Sequence, residues 1–236
     1  MKTLYKLTLM MMVAGLILAG CGKKDDAGGT STGSSTTGSA EEKKPEKDNG
    51  DENKGGETTS GNKITLSNCS FSLPEKWDGL DTSASDFRSK LDEWKKDETK
   101  KGPAAGIESM AANADIKYAA FDLGNPDKSF GDNLNVIIKE LPSEIPLEAF
   151  RSELKKTYES MSNYKLIGEP AIKNYNGRDY VETVLESETG GSKLKQWSVA
   201  TGAGKTLVTF TFTCQNEHGD EFQKAVESVM NSAEVH

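Results

Sequence analysis

One long stretch of this chain contains nothing from which a hydrophobic core can be built. Residues 22–62 include no Val, Ile, Leu, Met or aromatic residue and consist mostly of Gly, Ser, Thr, Lys, Glu and Asp. Such a segment cannot bury enough apolar surface to offset the entropy lost on ordering, so it is predicted to be a disordered tether. Periodic apolar residues begin immediately afterwards, which predicts one folded domain over residues 63–236.

The segment before the tether has the layout of an export signal. Two lysines precede an apolar run at residues 7–19, and small residues precede Cys21. Residues 18–21, Leu-Ala-Gly-Cys, are similar to the lipobox of bacterial lipoproteins. The resemblance implies removal of residues 1–20 and attachment of a diacylglyceryl lipid to the sulfur of Cys21. The alternatives are a transmembrane helix, for which about 20 apolar residues are needed, and an ordinary cleaved signal with an incidental cysteine.

Net charge limits the partners of the chain. Its formal charge is −8 at pH 7, and loss of the two signal lysines leaves 27 basic against 37 acidic residues, a charge of −10. Binding to nucleic-acid phosphates needs clustered Lys and Arg, so no nucleic-acid partner is expected. The predicted location is the extracytoplasmic side of a bacterial cell membrane. There the lipid on Cys21 provides the membrane contact, and an envelope protein or a cell-wall ligand is the expected partner.

Two hydrophobic periods occur in the predicted domain, and the first is that of strands. Alternating or short apolar runs predict strands near residues 69–73, 118–123, 134–138, 180–185, 193–201 and 206–214. In the last run Val208, Phe210, Phe212 and Cys214 share one face, and three threonines share the other. The dipeptide Asn176-Gly177 predicts a type I′ hairpin, and the short glycine-rich turns between the later strands require antiparallel pairing.

The second period is helical. A stripe of Phe87, Leu91 and Trp94 follows Ser83 and Asp86, which are spaced as a capping box. Further helices are predicted at about residues 104–112, at 147–161 behind a proline, and at 222–230. Separate runs of strands and helices predict the α+β class, with helices packed on an antiparallel sheet.

Two short motifs resemble the PsbP-like family. Residues 71–77 read FSLPEKW, similar to the family's opening FxxPxxW, and residues 130–136 read FGDNLNV, similar to its DNxNV strand. The spacing to the later elements is also similar, so the resemblance covers about residues 64–235. It implies an antiparallel sheet sandwiched between helices and no shared reaction. The lipobox favours the LpqN-type lipoprotein branch of the family.

Three patterns approach known functional motifs, and each lacks a required residue. Residues 199–206 approach GxxxxGK(S/T), but the first glycine is missing and a strand follows, so a hairpin is predicted. Oxygen-bearing side chains at residues 125–132 lack the glycine and glutamate of an EF-hand loop, so no metal site is predicted. His218 follows Cys214 by four residues, but the strand pattern places that thiol in the core. No cofactor is expected.

Cys69 and Cys214 are the two cysteines that remain when Cys21 carries lipid. An even number of cysteines outside the cytoplasm predicts a disulfide between them. Closing a loop of about 145 residues would stabilise the fold by up to roughly 5 kcal/mol in the chain-entropy model. Both residues lie on the apolar face of a predicted strand, so two buried free thiols are the alternative.

The sequence favours a non-enzymatic binding or scaffold module. It contains no HExxH, paired CxxC or GxSxG motif, so no catalytic residue is assigned. The alternative is an envelope hydrolase whose site is built from carboxylates, because acidic residues are abundant. Acids that converge in a pocket would favour the enzyme, whereas a sheet edge or an exposed aromatic patch would favour docking.

Overall fold

The structure, a computed structural model, describes residues 62–124 and 131–236. The predicted signal, and all but the last residue of the predicted tether, lie outside the described residues. The helices of the described ranges are α1 (Phe87–Trp94), α2 (Lys101–Met110), α3 (Leu147–Glu159) and α4 (Gly219–Ser232).

The strands of the described ranges form two antiparallel sheets. The strands are β1 (Lys63–Thr65), β2 (Cys69–Ser72), β3 (Trp77–Asp81), β4 (Ile116–Asp122), β5 (Asn133–Glu140), β6 (Tyr164–Leu166), β7 (Ala171–Tyr175), β8 (Arg178–Thr189), β9 (Ser192–Ala203), β10 (Thr206–Gln215) and β11 (Glu234–Val235). The main sheet has the order β3-β4-β5-β10-β9-β8, and β6 and β7 pair with different parts of the free edge of β8. Strands β1, β2 and β11 form the small sheet.

One face of the main sheet is covered by α4 and the small sheet, and its core is continuous. The ring of Phe71 in β2 makes edge-to-face contacts with Tyr118 at 5.6 Å and with Phe210 at 5.5 Å between ring centroids. Phe222 of α4 lies 5.6 Å from the ring of Trp197. Large aromatic side chains dominate the apolar surface removed from water, so this face supplies much of the hydrophobic stabilisation.

The other three helices lie on the opposite face, in two separate groups. Phe87 and Leu91 of α1 pack with Ile107 of α2 over the β3–β4 side of the sheet. Phe150 and Leu154 of α3 pack over the β8 side. Between these two apolar clusters lie the central strands β5, β10 and β9.

The predicted α+β class is confirmed, with an antiparallel sheet between helices. The small sheet was not predicted. Its outer strands β1 and β11 are 3 and 2 residues long, which is too short for a period of two to be recognised. The small sheet therefore shares with α4 the covering of one face.

Two local sequence signals have different outcomes. Asn176 and Gly177 connect β7 to β8 with φ values of 49° and 78°, so the predicted type I′ hairpin is confirmed. The predicted capping box is wrong. The Ser83 hydroxyl donates to the carboxylate of Asp81 at 2.6 Å, and Asp86 makes no side-chain bond to the first turn of α1.

Candidate binding site

The helix-covered face of the main sheet has a polar centre. Eight uncharged polar side chains from four adjacent strands lie there, each at most 8% exposed, between the cluster beneath α1 and α2 and the cluster beneath α3. This group is termed the polar island. Its members are Asn133 and Asn135 of β5, Thr209, Thr211 and Thr213 of β10, Gln196 and Ser198 of β9, and Thr183 of β8.

Strand register makes the polar island continuous. Thr211 stands opposite Asn135 on one side and opposite Ser198 on the other, and Ser198 stands opposite Thr183. Side chains directly opposite one another in an antiparallel pair have Cβ atoms about 4.5–5.5 Å apart. One polar row therefore crosses four strands without an apolar interruption.

A second row of the polar island runs beside the first and is partly hydrogen-bonded. Thr213 stands between Asn133 and Gln196. The Gln196 amide Nε2 donates to the Thr213 hydroxyl at 3.2 Å, and the Asn133 amide Nδ2 donates to the carbonyl of Gly131 at 3.0 Å. Each bond uses one of the two N–H donors of its amide, and the carbonyl oxygen of Gln196 has no partner within the described residues.

Five oxygens of the polar island have no hydrogen-bond partner within the described part of the chain. They are the amide oxygens of Asn135 and Gln196 and the hydroxyls of Thr183, Thr209 and Thr211. An unsatisfied buried polar group costs about 1–3 kcal/mol, so five would cost on the order of 5–15 kcal/mol, as much as the net stability of a typical domain. Five such oxygens on one face are unusual for a sheet that serves only for packing.

Apolar side chains frame the polar island. Phe121 of β4 stands next to its second row at one end, and Leu185 of β8 at the other. Ile137 and Ala200 stand on either side of Thr209, and all four apolar residues are at most 4% exposed. Hydrogen bonds inside such a frame are stronger than in water, and unmade ones are more costly.

Close packing holds the Phe121 ring at the edge of the polar island. A Cβ atom at Gly106 of α2 would lie 2.7 Å from Cζ of Phe121, and one at Gly131 would lie 2.9 Å from its Cδ1. Both distances are well below normal carbon–carbon contact. The ring therefore packs tightly between Gly106 of helix α2 and Gly131, which precedes β5.

The polar island can bind but has no group for acid–base chemistry. Asn, Gln, Ser and Thr side chains donate and accept hydrogen bonds and stay uncharged near neutral pH. A hydroxyl nucleophile needs a general base within hydrogen-bond reach, and none of the eight side chains is a His, Asp, Glu or Lys.

A buried carboxylate, Glu182 of β8, is already occupied by structural contacts. The Tyr175 hydroxyl donates to its Oε2 at 2.6 Å, and the Lys173 Nζ lies 2.6 Å from its Oε1. Burial, together with the bond to Glu182, raises the pKa of Tyr175. Both carboxylate oxygens of Glu182 contact residues of β7, so Glu182 stabilises the β7–β8 hairpin.

Cys69 and Cys214, the predicted disulfide, are both buried and are not bonded to each other in the structure. Cys69 lies in β2 of the small sheet, where it stands opposite Val235, and Cys214 lies in β10 of the main sheet, where it stands opposite Lys195. The predicted bond between them is not present in the structure.

The remaining motif-like segments contribute no side chain to the polar island or lie outside the described residues. The predicted hairpin at residues 199–206 is confirmed, since β9 and β10 pair across it and Gly204 has φ 58°. His218 ends a short 3-10 turn after β10. Most of the acidic loop at residues 125–132 lies outside the described residues, and within the described ones no three His, Cys, Asp or Glu side chains are grouped as metal ligands.

The lipid-attachment residue and the domain boundary stay predictions. Cys21 and the proposed cleavage position lie outside the described residues. Over residues 62–124 and 131–236, none of the helices combines the length and the hydropathy that crossing a bilayer requires.

Comparison with solved structures finds the two kinds of protein that the motifs indicated. The solution structure of cyanobacterial PsbP (CyanoP) from Synechocystis sp. PCC 6803 matches at 16% identity with a TM-score of 0.47, covering 78% of this chain and 98% of that one. The crystal structure of LpqN, involved in cell envelope biogenesis of Mycobacterium tuberculosis, matches at 9% identity with a TM-score of 0.47, covering 76% and 87%. Both are the kinds of protein that the sequence resemblance named, and nothing about the function of this chain follows from them. No family model and no curated protein matches the chain.

Proposed function

We propose that this protein is a membrane-anchored extracytoplasmic lipoprotein that acts as a non-enzymatic binding module, with the polar island as its binding site. The observation that supports the proposal is the set of five buried oxygens without a partner in the described chain. A sheet face that served only for packing would be more stable with apolar side chains at these positions. Polar residues kept at a cost in stability are typical of functional sites.

The uncharged composition of the polar island favours binding over the alternative, an envelope hydrolase with a carboxylate-based site. Such an enzyme needs a carboxylate that is free to exchange protons with substrate. Two carboxylates are buried in the described residues, those of Asp132 and Glu182, and that of Glu182 is instead held by Lys173 and Tyr175.

The anchor sets where binding takes place. Lipid on Cys21 would hold the chain at the membrane, and a flexible tether of about 40 residues has an end-to-end distance of about 35 Å. The domain would then sample the space next to the membrane surface, where an envelope protein or a cell-wall ligand is within reach. Two acyl chains are needed for durable attachment, and one diacylglyceryl thioether provides them.

The anchor is tested with Cys21→Ser. The expected result is a chain that is released from the membrane fraction or stays unprocessed, because the serine oxygen cannot form the thioether. Mass spectrometry of the wild-type N-terminus should show cleavage before Cys21 and the added mass of the lipid. A Cys21→Ser chain that matures normally and stays in the membrane fraction would refute the anchor.

Binding at the polar island is tested by NMR of the full chain in a zwitterionic detergent. The small-molecule fraction of a cell-envelope extract should shift the side-chain amide signals of Asn135 and Gln196. The amide of Asn174, which is exposed and donates to Asp179 at 2.7 Å, is the internal control. Shifts confined to exposed amides, or none at all, would rule out the polar island as the binding site.

A further inference from the structure

We propose that a cleft at the end of the β8–β9 hairpin binds a small zwitterion with the charge pattern of a free α-amino acid. This inference goes beyond the proposed function, because no side chain of the polar island lines the cleft. The cleft has a volume of about 280 Å³. Its walls include two acidic, two basic and two amide side chains: Glu186, Glu188, Lys165, Lys193, Asn163 and Asn216.

Unequal strand lengths create the cleft. Strand β6 begins at Tyr164, opposite Ser187 of β8, and β10 ends at Gln215, opposite Leu194 of β9. The β8–β9 hairpin continues beyond both neighbouring strands before it turns. The chain segments just before β6 and just after β10 complete the walls. The cleft is therefore open space that remains where two strands of the sheet stop.

Two of the four charges in the cleft compensate each other, and two do not. The Lys165 Nζ lies 3.1 Å from Oε2 of Glu186. Glu188 and Lys193 are exposed and stand directly opposite each other, where Cβ atoms are about 4.5–5.5 Å apart. Neither of these two side chains makes an ion pair or a hydrogen bond with a described residue. The cleft therefore presents one carboxylate and one ammonium group, close together and free to bind.

This pair of charges favours a ligand that has both signs. An anion alone would be attracted to Lys193 and repelled by Glu188, and a cation alone would experience the reverse. A zwitterion can place its carboxylate against Lys193 and its ammonium group against Glu188, with a charge-assisted hydrogen bond at each contact. In an α-amino acid both groups are attached to one carbon atom, so they can reach two adjacent side chains at once.

The size and the other walls of the cleft suit a small polar ligand. Sites for drug-sized molecules have volumes of about 300–1,000 Å³, so a cleft of about 280 Å³ fits a smaller molecule. The side chains of Asn163, Ser187 and Asn216 can donate and accept further hydrogen bonds. Because water and salt screen ionic contacts at exposed side chains, a dissociation constant in the millimolar range is expected.

The test titrates three forms of one amino acid into the labelled full chain: alanine, N-acetylalanine and alaninamide. Near neutral pH alanine has both charges, N-acetylalanine only the carboxylate and alaninamide only the ammonium group. A non-ionic detergent is used, because zwitterionic head groups would compete. Alanine should move the side-chain amide signals of Asn163 and Asn216 saturably, and the other two forms should bind about five-fold more weakly. The amide of Asn174, which donates to Asp179 in the β7–β8 hairpin, is the internal control.

Variants of the two unpaired charges tie the binding to the cleft. Glu188→Gln should weaken binding of alanine about five-fold and remove its advantage over N-acetylalanine, because the ligand ammonium group loses its partner. Lys193→Gln should weaken alanine equally and remove its advantage over alaninamide. The matched controls are Glu153→Gln and Lys156→Gln, which remove the same charges from an exposed ion pair of α3 outside the cleft. Both controls should bind alanine as the wild type does.

Three results would overturn the proposal. If N-acetylalanine or alaninamide binds the wild type as tightly as alanine, the ligand does not need both charges. If Glu188→Gln and Lys193→Gln bind alanine as the wild type does, these two side chains do not form the site. If no probe moves the signals of Asn163 and Asn216, the cleft is a solvated groove. Each result leaves the proposed function at the polar island standing, because the two sets of side chains do not overlap.

Discussion

Thr211 of β10 stands directly opposite Asn135 of β5, and the side-chain oxygens of both are buried without a partner in the described chain. Thr211 is 1% exposed and Asn135 is 4% exposed, so bulk water does not freely solvate either side chain. The two oxygens do not bond to each other or to another group of the described residues. This pair is therefore the most direct marker of the polar island, and it provides the first prediction.

Replacing Thr211 with Val should leave the free energy of unfolding unchanged or raise it by up to about 1 kcal/mol, because the removed hydroxyl makes no bond within the described chain. Thr201→Val should lower it by about 1 kcal/mol, because that hydroxyl donates to Asp179 at 2.8 Å. Urea unfolding of both variants measures the difference. Equal destabilisation of the two would mean that the Thr211 hydroxyl is hydrogen-bonded in the apo protein.

Gly106→Ala should destabilise the fold by about 1–3 kcal/mol, because its Cβ would lie 2.7 Å from the Phe121 ring. Gly102 of the same helix is the matched control, since nothing lies within 4 Å of a Cβ at that position. Gly102→Ala should stabilise by about 0.5–1 kcal/mol through helix propensity. Chemical unfolding of both variants separates the cost of the contact with Phe121 from the gain in helix propensity. If Gly106→Ala were more stable than the wild type, the Phe121 ring would have to be free to move.

A thiol count decides the state of the two remaining cysteines. In the Cys21→Ser chain, denatured without reductant, two free thiols are expected, because the structure contains no disulfide between Cys69 and Cys214. In the native protein, a reagent that requires thiolate should react slowly from pH 7 to pH 9, since burial raises the pKa of Cys69 to about 12. Zero free thiols in a denatured monomer would establish the disulfide.

Glu108 of α2 should contribute to acid sensitivity. Its hydrogen bond to Lys95, with the nearby charges of Lys95 and Arg88, lowers the pKa of its carboxyl below the ordinary 4.5. A carboxyl with a lowered folded pKa stabilises the fold above its unfolded pKa, and this contribution is lost as pH falls through the folded value. Unfolding measured between about pH 6 and pH 3 should show a shallower decline for Glu108→Gln. An identical decline would assign the acid sensitivity to other carboxyls.

Limited proteolysis tests the predicted boundary between tether and domain. The first cuts should fall within residues 22–62, which contain many Lys and Glu sites and no apolar residues to protect them. A resistant fragment close to residues 63–236 should persist, and mass spectrometry identifies its ends. A first cut between β7 and β10 would show that the boundary is misplaced.

Much of the fold could be read from local periods, because side-chain direction in a strand or helix depends only on neighbouring residues. The alternation around Phe210 predicted β10, and the stripe through Leu154 predicted α3. Strand β3 escaped detection, since Trp77–Asp81 contains a glycine and two aspartates and reads as a turn. Strand register was also not predicted, and register is what brings Thr211 next to Asn135.

The sequence by itself determined that Thr209, Thr211 and Thr213 share one face of β10, because the side-chain period of a strand is two residues. The sequence did not determine whether that face contacts water or other parts of the protein. Threonine is equally suited to a strand that faces water, so the alternation alone predicts a solvated surface. Only the tertiary structure decided that the threonine face is buried between two groups of helices. Burial depends on segments distant in sequence, since α1 and α2 precede β4 and α3 follows β5.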